Sequence, residues 1–144
     1  MQELDDPNLH KVDMIASALG LERVGHIFTS TDQEVLMTPD QIRKSADLQN
    51  QYSFEHALGY KVPKYVTVVA RKKGEEDVVE FECYMISDQG QALERDNCFG
   101  HSKDKKAMVL RQPDANEMMP SIITAGKPVK EFPPDFFLVS LAYG

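Results

Sequence analysis

The stretch LGLERVGHIFTSTDQEVLMTPDQIRKSADLQ, residues 19–49, decides how this chain folds. Arg23-Val24-Gly25-His26-Ile27-Phe28 reads as a strand that runs into a polar turn. The strand is short, over residues 24–28, and reads as buried. Gly25 inside it marks a close approach by another backbone. Thr38-Pro39-Asp40-Gln41 then opens a helix that extends to about Gln51. The threonine hydroxyl and the glutamine carboxamide, three residues apart, form a capping box, with proline in the first turn.

Working outward, Asp5-Asp6-Pro7 predicts an earlier helix start, a carboxylate cap followed by proline. Leu9, Val12, Ile15, Ala16 and Leu19 recur at helical spacing, and Gly20 stands where that helix stops. Downstream, residues 53–63 read as a loop punctuated by Gly59 and Pro63. Tyr65-Val66-Thr67-Val68-Val69-Ala70 is strongly strand-like. A turn at residues 73–77 leads into a second strand over residues 78–87, completing a hairpin. Asp88-Gln89-Gly90 reads as a turn, with residues 91–96 continuing a meander. Residues 97–120 are polar and irregular, with a short strand expected at 107–110. Residues 136–143 are too apolar for a tail and predict a buried strand, entered through an extended Pro133-Pro134. The order helix, strand, helix, hairpin, mixed extended structure predicts an α+β domain.

Composition narrows the function. The chain has 144 residues and is 42% hydrophobic, enough for a real core. Its net charge of −7 gives no long-range attraction for nucleic acid or anionic lipid. The basic run Arg71-Lys72-Lys73 is answered at once by Glu75-Glu76-Asp77, the pattern of a solvated hairpin tip. No apolar run approaches the ~20 residues that span a bilayer. The acidic N-terminus MQELDDPN lacks the features of a secretory signal. Two cysteines, Cys83 and Cys98, make no disulfide framework and fit a reducing compartment, cytosol or nucleus.

The strand, polar turn and capped helix resemble the core of zinc isopeptidases, in which the strand ends in His-x-His-Pro and the helix opens with Ser-x-x-Asp. A catalytic zinc takes three protein ligands and an open position for water. Alternate strand residues project to one face, which is why His-x-His supplies two of them. Here the corresponding strand pair is Phe28 and Ser30, and the helix position is Gln41. None is a good zinc ligand, so these are degenerate metal-ligand positions, and no cofactor is expected. A metal-dependent deubiquitinase with displaced ligands is the alternative. His26 has neither an acid nor a second ligand beside it in sequence and reads as a packed or surface residue. Cys98-Phe99-Gly100-His101 has the spacing of half a zinc site, for which Cys83 and His56 are the other candidate ligands; no second pair completes it. Met118-Met119-Pro120 and Phe132-Pro133-Pro134 read as core, with an exposed apolar rim as the other possibility. The eight glycines fit no nucleotide-binding fingerprint.

One family joins these features. Residues 13–25, DMIASALGLERVG, with Ile27-Phe28-Thr29, resemble the helix and "VG-x-IFT" strand of the nuclear protein localization 4 family. The likeness continues through Ser45-Ala46-Asp47-Leu48-Gln49-Asn50, Lys64-Tyr65-Val66-Thr67, Phe81-Glu82-Cys83-Tyr84 and residues 87–95, covering nearly the whole chain. It implies the second half of a catalytically dead isopeptidase-like domain of the MPN type, over about residues 1–60. A β-rich C-terminal extension would follow over about 61–144. It also implies a non-enzymatic adaptor. Such an adaptor binds ubiquitin or polyubiquitin and works with a ubiquitin-fusion-degradation partner and the AAA unfoldase called valosin-containing protein. The setting is ubiquitin-dependent degradation, including endoplasmic-reticulum-associated degradation. The expected location is cytoplasm and nucleus, peripheral at the endoplasmic reticulum, without membrane insertion. The resemblance also implies a groove in this region that engages a ubiquitin being unfolded, and which residues of this chain touch ubiquitin is unknown from sequence. The family commonly has tryptophan where this chain has His26. The chain starts just before the family's helix, so the preceding half-domain is expected to be missing. The ubiquitin-like and zinc-finger segments further upstream, which make the family's main unfoldase contact, are expected to be missing with it. Direct unfoldase contact by this chain is therefore doubtful. The end at Gly144 is early, and the unpaired edges of such a sheet favour self-association.

Overall fold

The computed structural model describes residues 6–32, 34–72, 74 and 78–142. In chain order the elements are α1 (Leu9–Ala18), β1 (Gly25–Ser30), α2 (Pro39–Gln51), β2 (Ser53–Glu55), β3 (Lys61–Pro63), β4 (Val66–Lys72), β5 (Val79–Ile86) and α3 (Asp88–Arg95). They are followed by β6 (Met108–Val109), β7 (Ile122–Thr124), β8 (Lys127–Val129), β9 (Glu131–Phe132), a 3₁₀ turn (Pro134–Phe137) and β10 (Leu138–Leu141). The domain is α+β.

A four-stranded sheet runs in the order β1-β4-β5-β10. β1 and β4 are parallel, with Ile27 opposite Val68 and Phe28 opposite Val69. Parallel neighbours need a crossover, and α2 lies in it. β4 and β5 form the expected antiparallel hairpin, and β10 returns antiparallel on the far side of β5. The sheet thus takes β1 from before residue 60 and its other strands from after it. Of the hairpin's tip, Lys73, Glu75, Glu76 and Asp77 lie outside the described residues, as do Asp5 and Tyr143. Gly25 performs the expected role: a Cβ there would sit 2.4 Å from the Val66 carbonyl oxygen, which only glycine permits.

One face of the sheet is covered. Ile42, Ser45, Ala46 and Gln49 form the buried stripe of α2, at the spacing of a single helix face. Ile42 and Ala46 of this stripe join Val69 and Ile86 of the sheet, Leu93 of α3, and Phe99, Met108, Phe132 and Phe137 from the C-terminal part in one core. Phe137 is fully buried, with the rings of Phe99, Phe132 and Phe136 edge-on to it at 5.2 to 5.4 Å.

Several expectations are corrected. Residues 53–63 are not a plain loop: β2 and β3 pair antiparallel, closed by the turn around Gly59. Residues 88–96 are not a turn and meander strand but α3. Ser87 caps it, accepting a hydrogen bond from the Gly90 amide, with Asp88 in the first turn and Arg95 in the last. Gly90, taken for a turn residue, is instead a packing glycine. A Cβ there would lie 2.6 Å from Ile86 Cγ2 and 3.1 Å from Phe137. The short strand at 107–110 exists as β6 and a bridge from Leu110 to Phe99. The last apolar run divides: Pro133 is extended as expected, but Pro134 starts a 3₁₀ turn, and β10 is a half-exposed edge strand. β1 is likewise an edge strand rather than a buried one, with Ile27 58% exposed. At α1 the N-cap is Asn8 without a side-chain cap, while Asp6 accepts from the Asn8 amide. α1 buries none of its residues.

Candidate functional site

Phe28 and Ser30, expected from the sequence to be degenerate metal-ligand positions, lie on β1, and Gln41, the third, lies at the start of α2. His26, Phe28 and Ser30 alternate along β1 and share its inward face, while Ile27 and Thr29 point the other way. Phe28 is packed against the hydrophobic core. Ser30 lies opposite Arg71 of β4, whose guanidinium Nε is 3.1 Å from Glu82 Oε2. That separation makes an ion pair, although the N–H is not aimed for a hydrogen bond. Gln41 Oε1 accepts from the Thr38 backbone N–H at 2.8 Å, and Thr38 Oγ1 accepts from the Gln41 N–H at 3.4 Å. This is the capping box read from the sequence, and it engages the Gln41 carboxamide oxygen.

Beside Phe28 the space is filled by a column of rings. His26 stacks on Phe28 at 6.0 Å and on Tyr65 at 5.6 Å; Tyr65 stacks on Tyr52 at 5.0 Å. The Arg23 guanidinium closes the column 5.7 Å above the Tyr52 ring. His26 is therefore a packed residue, at the position where tryptophan was expected from the resemblance. A flat imidazole supplies the same stacking surface with less volume.

The polar turn between β1 and α2 is pinned. Asp32 accepts from the backbone N–H groups of Glu34 and Val35 and pairs with Lys105. Glu34 pairs with Lys106 at 2.7 Å. The Lys105 ammonium, with the Glu34 amide, holds the Asp32 carboxyl down at about 2. On the other side, α2 and α3 are joined by Arg43 and Glu94, Nε to Oε2 at 2.8 Å; that pairing raises the guanidinium further.

A buried amide seam fixes α2 on the sheet. The Gln49 carboxamide donates to the Ile86 carbonyl and accepts from the Ile86 N–H, both at 2.9 Å. Gln91 Nε2 donates to the same carbonyl at 3.1 Å, and Asn50 Nδ2 donates to the Gln91 carbonyl at 3.0 Å. Next to this seam a polar cleft of about 420 Å³ opens between the end of α2, β3 and α3, lined in part by Ser53, Lys61, Asp88 and Arg95.

The cysteine and histidine candidates are not brought together. Cys98 is buried, and burial followed by the Asp96 charge pushes its thiol up, away from the thiolate a metal needs. Its Sγ–H donates to the Asp96 carbonyl at 3.6 Å. His101 is exposed, His56 stacks on Tyr60 at the β2–β3 turn, and Cys83 lies in β5. Among the described residues no group of three or more His, Cys, Asp or Glu is placed to hold a metal ion. Met118 is 96% exposed, whereas Met119 rests on the core and Phe132 and Pro134 are buried, so the two apolar motifs divide between rim and core. Among the described residues no helix is long and apolar enough to cross a membrane.

Sequence reasoning located the capping box and missed both the ring column and the amide seam. The seam had a signal: Gln49 falls in the apolar stripe of α2, where a polar residue needs a buried partner. The column had a weaker one, since Arg23, His26, Tyr52 and Tyr65 come from three separate segments.

The molecule is thus an α+β domain in which Phe28 of a strand is a packing group and Gln41 of a capped helix is a capping group. The chain belongs to the NPL4 family, whose model matches residues 1–144. It is 31% identical over 135 residues to the nuclear protein localization protein 4 homolog of Rattus norvegicus, covering 81% of this chain and 22% of that protein. The Dictyostelium discoideum homolog is 32% identical over 94 residues, 64% of this chain and 14% of that protein. NPL4-like protein 2 of Arabidopsis thaliana is 27% identical over 146 residues, 96% of this chain and 32% of that protein. The chain therefore spans between about a seventh and a third of the length of these relatives.

Proposed function

We propose that this chain is a non-enzymatic, ubiquitin-binding adaptor domain of the pseudo-isopeptidase (MPN) type. It serves an AAA unfoldase in ubiquitin-dependent degradation, including extraction from the endoplasmic reticulum. Family membership supports the adaptor class. The observation that carries the non-enzymatic part is the engagement of Gln41 and Phe28. One is held by its capping box and the other by the core, so neither can turn to a metal without loosening α2 or the sheet. A zinc hydrolase needs the opposite: ligands preorganised around an open coordination position.

The partners follow from the same reading. Ubiquitin chains are the ligand, and the unfoldase and a ubiquitin-fusion-degradation partner are the machinery. Direct unfoldase contact is assigned to segments of the longer relatives outside this span. The test is retention of polyubiquitin on immobilised chain, compared with a version extended upstream along a relative. Retention by either, with the chains intact, is the expected result. If neither retains polyubiquitin, the proposal fails.

A further inference from the structure

The cleft between the end of α2, β3 and α3 has a hydrogen-bonding imbalance. Asn50, Gln51, Ser53 and Gln91 are its neutral polar lining residues. Each turns its donor group to the fold. Gln91 Nε2 donates to the Ile86 carbonyl at 3.1 Å, and Asn50 Nδ2 to the Gln91 carbonyl at 3.0 Å. Gln51 Nε2 donates to the Asp47 carboxylate at 2.8 Å, and the Ser53 hydroxyl to the Asn50 carbonyl at 3.1 Å. Every one of these partners is a carbonyl or a carboxylate, which accepts. The nitrogen ends of the three carboxamides are thereby assigned, since a flipped amide would set oxygen against oxygen. The arms left over are oxygens. Gln91 Oε1, Asn50 Oδ1 and Gln51 Oε1 have no partner among the described residues, and the Ser53 oxygen accepts from none.

The charges around the cleft lean the same way. Asp88 lines it and has no partner among the described residues. Two cations, Lys61 and Arg95, line it as well. Arg95 is answered by Asp96, Nε to Oδ1 at 3.0 Å, and Lys61 stands opposite Glu55 across the β2–β3 pair. With Asp47 behind Gln51, four carboxylates border a cleft that has two cations. Gln91, 8% exposed, is the most buried of the lining residues. Unmet acceptors in such a place favour a charged donor over a neutral one.

We propose that this cleft is a binding site for a guanidinium, the arginine side chain of a protein partner. A guanidinium presents five N–H donors in a planar fork and accepts nothing, the complement of a wall of oxygens beside a carboxylate. An ammonium is a compact, strongly hydrated head with three donors and meets fewer of these oxygens. A calcium-type ion takes about six to eight oxygens, with carboxylates prominent among them, and only one carboxylate lines this cleft. The cleft's volume, about 420 Å³, lies within the roughly 300–1,000 Å³ of ligand sites. The proposal does not rest on ubiquitin binding.

The probe is N-acetyl-L-argininamide, titrated into the 144-residue chain. The side-chain amide signals of Asn50 and Gln91 in nitrogen–proton correlation spectra report on the site. They shift saturably, with a Kd in the millimolar range expected of a single side chain. Capped norleucine, of similar length and uncharged, leaves them in place, and capped lysine binds more weakly. Asp88→Asn weakens binding about threefold and Lys61→Gln tightens it about threefold, both at exposed positions where the backbone spectrum stays that of the parent. The absence of a saturable shift, or equal shifts with capped norleucine or capped lysine, overturns the proposal. So does an affinity that Asp88→Asn leaves unchanged, or calcium chloride shifting these amides where the arginine probe does not.

Discussion

Replacing Gln49 with methionine removes the hydrogen bonds that hold α2 on β5 while leaving the volume almost unchanged. Gln49 is 1% exposed, and its carboxamide serves both the N–H and the carbonyl of Ile86. In the variant the carbonyl keeps its hydrogen bond from Gln91, but the Ile86 N–H has no partner. A buried donor left without an acceptor costs about 1–3 kcal/mol. That is a large share of the ~5–15 kcal/mol of a typical domain. Gln49→Ala adds lost packing and costs about 1–2 kcal/mol more. Urea unfolding measures both as a lower midpoint at constant slope. By heat, each kcal/mol lowers Tm by roughly 4 °C for a domain of this size. The carbonyl is shared, so Gln49→Met and Gln91→Leu together orphan it. Their combined cost exceeds the sum of the single costs by about 1 kcal/mol. A Gln49→Met midpoint within about 0.5 kcal/mol of the parent would refute the view that this amide fixes the helix on the sheet.

Thr38→Ala breaks the capping box at α2 and costs about 1 kcal/mol by the same urea assay. Gly90→Ala is destabilising by about 1–3 kcal/mol even though alanine is the better helix former. Its methyl would meet Ile86 and Phe137, so a stabilised variant would contradict the close helix–sheet approach. Asp32 and Glu117 are both held down at about 2, by Lys105 and Arg111 respectively, from ordinary values of 3.8 and 4.5. Carboxyls that are more acidic when folded stabilise the fold above their unfolded values, and that contribution is lost as pH falls toward 2. Asp32→Asn and Glu117→Gln therefore flatten the fall in Tm between pH 4.5 and 2 and leave the alkaline side unchanged.

What the sequence disclosed, and what it hid, follows from the range of the interactions involved. The α2 cap was legible because threonine, proline and glutamine act within one turn of each other. The β4–β5 hairpin was legible from its β-branched run. Gly25 announced a close approach because only its Cβ is at issue. α3 was misread because Asp88-Gln89-Gly90 has the local chemistry of a turn. Gly90 is glycine for a contact with Ile86 and Phe137, the latter 47 positions away in sequence, which no local pattern reveals. The β2–β3 hairpin was missed because three-residue strands carry almost no periodicity. α1 was correctly read as an amphipathic helix, but its spacing could not tell that the stripe would stay exposed in this chain. At Phe28, Ser30 and Gln41 the sequence showed only that these residue types are not good zinc ligands. Only the structure showed what those positions do: a phenylalanine packed on the core, a carboxamide engaged in a cap, and a column in which Phe28 and Tyr65 stack on His26 and Tyr52 on Tyr65.

If the proposed function is right, this fold holds ubiquitin chains and does not cut them. Fluorescence anisotropy of a labelled polyubiquitin chain, titrated with the protein in the presence of zinc, tests binding and integrity in one trace. The expected trace is a saturable rise that stays constant for hours. A flat titration would rule out the binding, and a rise that decays below the starting value as the chain is cleaved would rule out the absence of catalysis.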